Sequence, residues 1–167
     1  AFFPFPRTLL DIARMPLEYA SAGVARPFPL VLDLTITNRC NLRCDFCYNQ
    51  DNHTSQGEEL SAAELQGLFD EAAPWRAGLF LSGGEPLLRV DLEGIVRDGK
   101  ARRLPVGLVT SGAPGGSRAR DERIAGLVDA GLDVAVVSIH GSEEVHDRVV
   151  GKAGAFASSL RSLEALS

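Results

Sequence analysis

The chain lacks any long apolar run. Nothing in its 167 residues approaches the roughly eighteen apolar positions that a membrane-crossing helix requires. It also lacks an excess of basic residues: 17 Lys and Arg stand against 22 Asp and Glu, for a net charge of −5 and a pI near 5.2. The basic residues are scattered, with Arg102-Arg103 the nearest approach to a patch, which excludes a nucleic-acid scaffold. Cysteine is scarce, with 3 in all. An odd, local set excludes a disulfide framework, which needs an even count spread along a secreted chain. The opening Ala1-Phe2-Phe3-Pro4-Phe5-Pro6-Arg7 is apolar, but too short and proline-broken for a secretory signal. Position 1 is not methionine, so the chain reads as a fragment or a processed form. What remains is ordinary for a globular domain: 45% hydrophobic and 23% charged residues, with length enough for one real core.

The three cysteines stand close together, as Cys40, Cys44 and Cys47 in Thr37-Asn38-Arg39-Cys40-Asn41-Leu42-Arg43-Cys44-Asp45-Phe46-Cys47-Tyr48. Inert buried thiols would not be interleaved with Asn41, Arg43 and Asp45. Thiolates at this spacing can hold three corners of an iron–sulfur cube and leave the fourth iron open to a ligand. A zinc site is the competing reading, with His53 as a fourth ligand, although zinc ligands usually come as two separated pairs. Clustered, reduced cysteines favour a reducing cytoplasm.

Along the chain, strands alternate with helices. Val31 to Thr37 puts Leu32, Leu34 and Ile36 on one face and Asp33, Thr35 and Thr37 on the other, a strand period. Ser61-Ala62-Ala63-Glu64 predicts a capping box opening a helix whose apolar face is Leu65, Leu68, Phe69 and Ala72, ended by Pro74. Gly78 to Ser82 is a second strand, followed by a helix with Leu92, Ile95 and Val96 inward. Pro105 to Thr110 is a third; Ser117 then caps a helix carrying Ile124, Leu127 and Val128, closed by Gly131. Asp133 to His140 is a fourth, and Phe156, Leu160 and Leu163 give a last helix its apolar face. This order predicts βαβ units and a parallel sheet over residues 30–167. Residues 1–29, with Leu9, Ile12 and Ala13 at helical spacing, read as a helical lead-in packed on that sheet; an interfacial membrane helix is the lesser alternative.

The chemistry-bearing stretches converge. Cys40 to Cys47 follow the first strand, Gly83-Gly84-Glu85-Pro86 the second and Thr110-Ser111-Gly112 the third, while Ser138 and His140 close the fourth. All fall at the C-terminal ends of parallel strands, where barrels and open α/β sheets carry their active sites. Two other patterns carry less. Gly115-Gly116-Ser117 and Gly151-Lys152-Ala153 lack the Lys-Ser/Thr and spacing of a phosphate loop. His146-Asp147 has the look of a catalytic dyad, but it stands in a short helical stretch with no nucleophile motif nearby and reads as structural.

Taken together, the cysteine spacing, the aromatic Phe46 before the last cysteine and the turn Asn41-Leu42-Arg43, joined by Gly83-Gly84-Glu85-Pro86, resemble the radical S-adenosylmethionine (radical SAM) enzymes. The resemblance covers roughly residues 30 to 166 and implies a partial (β/α) barrel, with about four β/α units present of an expected six. It implies that Cys40, Cys44 and Cys47 ligate a 4Fe–4S cluster whose open iron is chelated by S-adenosyl-L-methionine (SAM). Gly83, Gly84, Glu85 and Pro86 match the turn whose backbone receives the SAM amino group. Phe46 would pack near the adenine or simply fill core; Ser138 and His140 match the ribose-contact strand, and Ser111 is a further SAM contact. Tyr48 stands near the cluster or packs.

The chemistry implied is reductive cleavage of SAM to a 5′-deoxyadenosyl radical that abstracts hydrogen from a substrate. Cluster potentials span about −700 to +450 mV, and sulfonium cleavage needs the reducing end. A glutathione poise of about −220 to −320 mV is too weak, so a low-potential donor of ferredoxin or flavodoxin type is expected. The stretch from Ser138 to Phe156 resembles the branch that modifies peptides or matures cofactor precursors, often through a C-terminal SPASM or twitch extension with further cysteines; none remain here. The alternative function is a non-catalytic metal-binding module, zinc or structural Fe–S, or a partner-recognition module.

Overall fold

The computed structural model describes residues 29–49, 59–114 and 117–166. The lead-in expected around Leu9, Ile12 and Ala13 lies outside the described residues, as does His53.

Four strands, β1 (Val31–Thr37), β2 (Gly78–Gly83), β3 (Val106–Thr110) and β4 (Val134–Val137), form one parallel sheet in the order β1-β2-β3-β4. Between them run α1 (Ala62–Ala72), α2 (Leu92–Ala101) and α3 (Ser117–Asp129), and β4 is followed by α4 (Glu143–Val149) and α5 (Ala155–Ala165). Sequential parallel order is what successive βαβ crossovers produce. The sheet is thus the four-unit part of a (β/α) barrel. No helix among the described residues is long and apolar enough to cross a membrane.

Local chemistry sets the boundaries. Ser61 and Glu64 form the expected capping box: the Ser61 N–H donates to the Glu64 carboxylate at 2.8 Å and the Glu64 N–H to the Ser61 hydroxyl at 3.3 Å. Helix α1 buries Leu65, Phe69 and Ala72, while Leu68 is only half-buried. Helix α2 lies close against the sheet because Gly99 carries no side chain; a Cβ there would sit 2.8 Å from Val106. Leu79, Leu81, Val106 and Leu108 from the strands and Ile95 and Leu127 from the helices meet in the main core. Arg89 is buried beside it, yet all three guanidinium nitrogens donate, to the carbonyls of Ile36 and Leu60 and to Asp91.

Three expectations fail in detail. The fourth strand is shorter than Asp133–His140, ending at Val137, so Ser138 and His140 lie on the loop beyond it rather than on one strand face. Val128 faces solvent at 52% exposure. Helix α5 turns Leu160 and Leu163 outward and buries Ala155, Ser159 and Ser162. The reason is a close approach: a Cβ on Gly112 would lie 3.2 Å from the Ser159 Cα and 3.2 Å from the Ser162 Cβ. Only small side chains fit there, and the carbonyls they cover need donors. Ser159 donates to the Ser111 carbonyl at 2.6 Å and Ser162 to that of Gly112 at 2.5 Å.

Candidate functional site

The cysteine loop leaves β1 at the C-terminal rim of the sheet and is held by two later stretches of the chain. The Asn41 side-chain amide donates to the Ala113 carbonyl at 2.7 Å, just past β3. The N–H groups of Arg43 and Asp45 donate to the carbonyls of Val150 and Val149, each at 3.0 Å, at the end of α4. Leu42 is buried with Ala113, Val150 and Ala155, and Cys40 and Cys44 pack against that cluster. The loop therefore has little freedom beyond its cysteine side chains. The Leu42 N–H lies 3.5 Å from Cys40 Sγ, a donor aimed at the sulfur.

Gly83-Gly84-Glu85-Pro86 extends the β1–β2 pairing beyond the sheet. The N–H groups of Gly84 and Glu85 donate to the carbonyls of Thr37 and Arg39, both at 2.8 Å. A Cβ on Gly83 would lie 2.2 Å from the Thr37 oxygen, and one on Gly84 2.3 Å from the Arg39 oxygen. The glycines are thus required by the β1 backbone itself. With those N–H groups spent, the carbonyls are what the turn can offer a ligand.

The side chain of Glu85 points inward, fully buried. Its carboxylate accepts from the Leu87 N–H, the Thr110 hydroxyl, and the N–H and hydroxyl of Ser111. Glu85 and Pro86 do not touch the cavity described next; they lock the turn to the end of β3. The hydroxyl of Ser111 serves that same lock.

These stretches enclose one cavity of about 240 Å³. All three cysteines, Gly83 and Gly84, Ser111, Ser138 and His140 line it. Phe46 stands at its mouth, 62% exposed and edge-on to the His140 ring at 4.8 Å, so it is not core filling. Tyr48 is also exposed at the mouth. His146, read from the sequence as structural, is part of the wall. Its ring stacks on His140 at 5.5 Å and 14° and meets Phe156 edge-on at 5.8 Å. Its neighbour Asp147 does play the structural part: the carboxylate accepts the N–H groups of Gly154 and Phe156 at the start of α5. Nothing in the local sequence separates these two roles, because the wall is built by loops more than ninety residues apart.

Thiol electrostatics follow from the crowding. Burial pushes the Cys40 thiol up; the charges of Glu85 and Cys47 add to this and the Leu42 amide opposes it. Burial also raises Cys44, helped by Cys40 and Cys47. The sulfurs feel one another. Three thiol donors lining one cavity are the soft ligand set that iron–sulfur groups take.

Comparison with known proteins agrees. The model of the radical SAM superfamily matches residues 34–167. This chain belongs to the radical SAM superfamily. Among its relatives are the PqqA peptide cyclases of Rhodopseudomonas palustris, 39% identical over 84% of this chain and 37% of that protein, and of Rhizobium meliloti, 38% identical over 77% and 34%. The chain spans about a third of the length of the curated relatives it matches. In fold it resembles SuiB of Streptococcus suis, with a TM-score of 0.63 and 16% identity over 94% of this chain and 34% of that one. SuiB has also been solved with its precursor peptide SuiA and with S-adenosylmethionine. Radical SAM proteins bind a 4Fe–4S cluster and SAM, the two cofactors expected from the cysteine loop and the glycine turn.

Proposed function

We propose that this chain is the cofactor-binding part of a radical SAM enzyme that modifies a peptide. The single observation that carries this reading is the convergence of Cys40, Cys44 and Cys47 with Gly83, Gly84, Ser138 and His140 on one cavity. The cysteine thiolates would hold the cluster, the Gly83-Gly84 carbonyls would accept the amino group of SAM, and Phe46 with His140 would flank its nucleoside. When bound, these cofactors supply a one-electron cleavage that yields a hydrogen-abstracting carbon radical.

The protein's own part is placement. Asn41, Arg43 and Asp45 fix the cysteine loop through its backbone and side-chain hydrogen bonds, and the Glu85 lock holds the glycine turn at its distance from that loop. Leu42, Val150 and Ala155 keep water from one side of the cysteines. Peptide as substrate class is supported by the PqqA peptide cyclase relatives and by the SuiB complex with its precursor peptide. The low potential required calls for a ferredoxin- or flavodoxin-type donor.

The test is anaerobic reconstitution with iron and sulfide, reduction, and addition of SAM. The expected results are about four irons per chain, an altered cluster EPR signal on adding SAM, and 5′-deoxyadenosine once the chain is supplied in a full-length setting. Protein that takes up one zinc and no iron would instead establish the non-catalytic metal module.

A further inference from the structure

One residue of the cavity wall carries a buried polar atom with no partner among the described residues. His146 is 0% exposed, and its ring borders the cavity. Its Nδ1 accepts the backbone N–H of His140 at 3.2 Å, which places the ring proton of the neutral imidazole on Nε2. Burial, with His140 facing it and the Asp147 charge opposing, holds the ring's pKa below the usual histidine value. Among the described residues that Nε2–H finds no acceptor. The adjacent carboxylate cannot serve, since Asp147 is committed to Gly154 and Phe156. Nor can the ring turn away, being stacked on His140 and braced by Phe156. A buried donor left unpaired costs more than a typical hydrogen bond returns, so such a group in a site wall points to a ligand.

We infer that His146 is a binding residue whose Nε2–H donates to a lone-pair acceptor on the group held in this cavity. This rests on the reading of the site given above. The acceptor chemistry has two sources there, a sulfur of the iron–sulfur cluster or an oxygen of the nucleoside cofactor. The His140–His146 pair then has a division of labour. His140 presents its ring to Phe46 and its N–H to His146, and His146 presents its Nε2–H.

Two substitutions separate binding from support. In H146N the side-chain carbonyl stands near the place of Nδ1 and still accepts the His140 N–H, but nothing donates from the place of Nε2. In H146Q the amide N–H stands near Nε2 and the acceptor for His140 is lost. The whole chain and both variants are reconstituted anaerobically with iron and sulfide. Folding is read from urea midpoints, SAM affinity from equilibrium dialysis, and cluster potential from EPR-monitored titration.

With an oxygen acceptor, H146N binds SAM about tenfold more weakly at unchanged potential. With a sulfur acceptor, H146N keeps its SAM affinity and its potential falls, because a hydrogen bond to the cluster has gone. Either way H146Q lies closer to wild type than H146N does. Wild-type affinity and potential in H146N, or a folded H146Q worse than H146N in both, would overturn the inference. Should H146N fail to fold, H146Q decides: wild-type values support the donor role, and loss in the folded protein refutes it. A wild-type chain that takes up no iron or binds no SAM removes the reading of the site, and this inference with it.

Discussion

Glu85 grips Ser111 twice, taking both its N–H at 2.9 Å and its hydroxyl at 2.5 Å on one carboxylate oxygen. The other oxygen takes the Thr110 hydroxyl at 2.6 Å and the Leu87 N–H at 3.0 Å. All four partners donate, and the buried carboxyl group accepts. Glu85→Gln puts an amide among donors and leaves some unmatched, so it should lower stability by about 2–3 kcal/mol. Urea unfolding measures this, and an unchanged midpoint would show that the lock is not what holds the turn.

Gly84 and Gly94 should behave oppositely. Gly84→Ala drives a methyl against the Arg39 carbonyl and the Asn38 carbonyl, both backbone, and should part the turn from β1, with lower stability and lower SAM affinity. Gly94 lies exposed in α2 with nothing within 4 Å of an added Cβ. Gly94→Ala should therefore gain about 0.5–1 kcal/mol. Paired thermal melts of the two variants check the contrast.

Cys44→Ala should abolish retention of the cluster while leaving the fold, because Leu42, Val150 and Ala155 still pack. Iron and sulfide analysis after anaerobic reconstitution, beside a circular dichroism spectrum, reads both halves. A full iron complement in the variant would remove Cys44 from the ligand set.

Ser162→Leu should cost about 1–3 kcal/mol, since the site against Gly112 has no room and a carbonyl loses its donor. Leu163→Gln, on the exposed face at 43% exposure, should change stability by no more than about 0.5 kcal/mol. The reverse order in urea midpoints would restore the face that helical periodicity suggests.

Asp147 carries a pH signature. The Phe156 N–H, opposed by burial and joined by the Gly154 N–H, holds its carboxyl below the ordinary Asp value of 3.8. A depressed folded-state pKa means that its stabilisation is complete above the unfolded value and is lost as pH falls through the folded one. The stability gap between wild type and Asp147→Ala should therefore be constant near neutrality and close in acid below about pH 4. A gap that persists unchanged at pH 2 would show that the carboxylate charge is not what binds the α5 turn.

Much of this was legible in the sequence because it is local. Alternation in Val31–Thr37 and the Ser61–Glu64 box each depend on neighbours within a few residues; the strand and the box stand as read, although Thr37 is buried. The failures are where distant backbone decides. Periodicity favours Leu160 and Leu163 as the buried face of α5, but Gly112, some fifty residues away, admits only Ser159 and Ser162. That the glycines of the turn answer to the Thr37 and Arg39 carbonyls of the preceding strand could not be read locally either, since those partners lie more than forty residues earlier. His146 and Asp147 are adjacent letters with different tasks, and only the position of His140 tells them apart.

The hydrogen bonds from Arg43 and Asp45 to Val150 and Val149 span over a hundred residues of chain. During synthesis the three thiols emerge early, while the carbonyls that shape their loop emerge only after all four strands have been made. Until then the loop is a reactive, unformed trio of sulfurs, open to oxidation or to any stray thiophilic metal. On the ligand assignment proposed above, iron–sulfur insertion belongs after this stretch has been made and has folded.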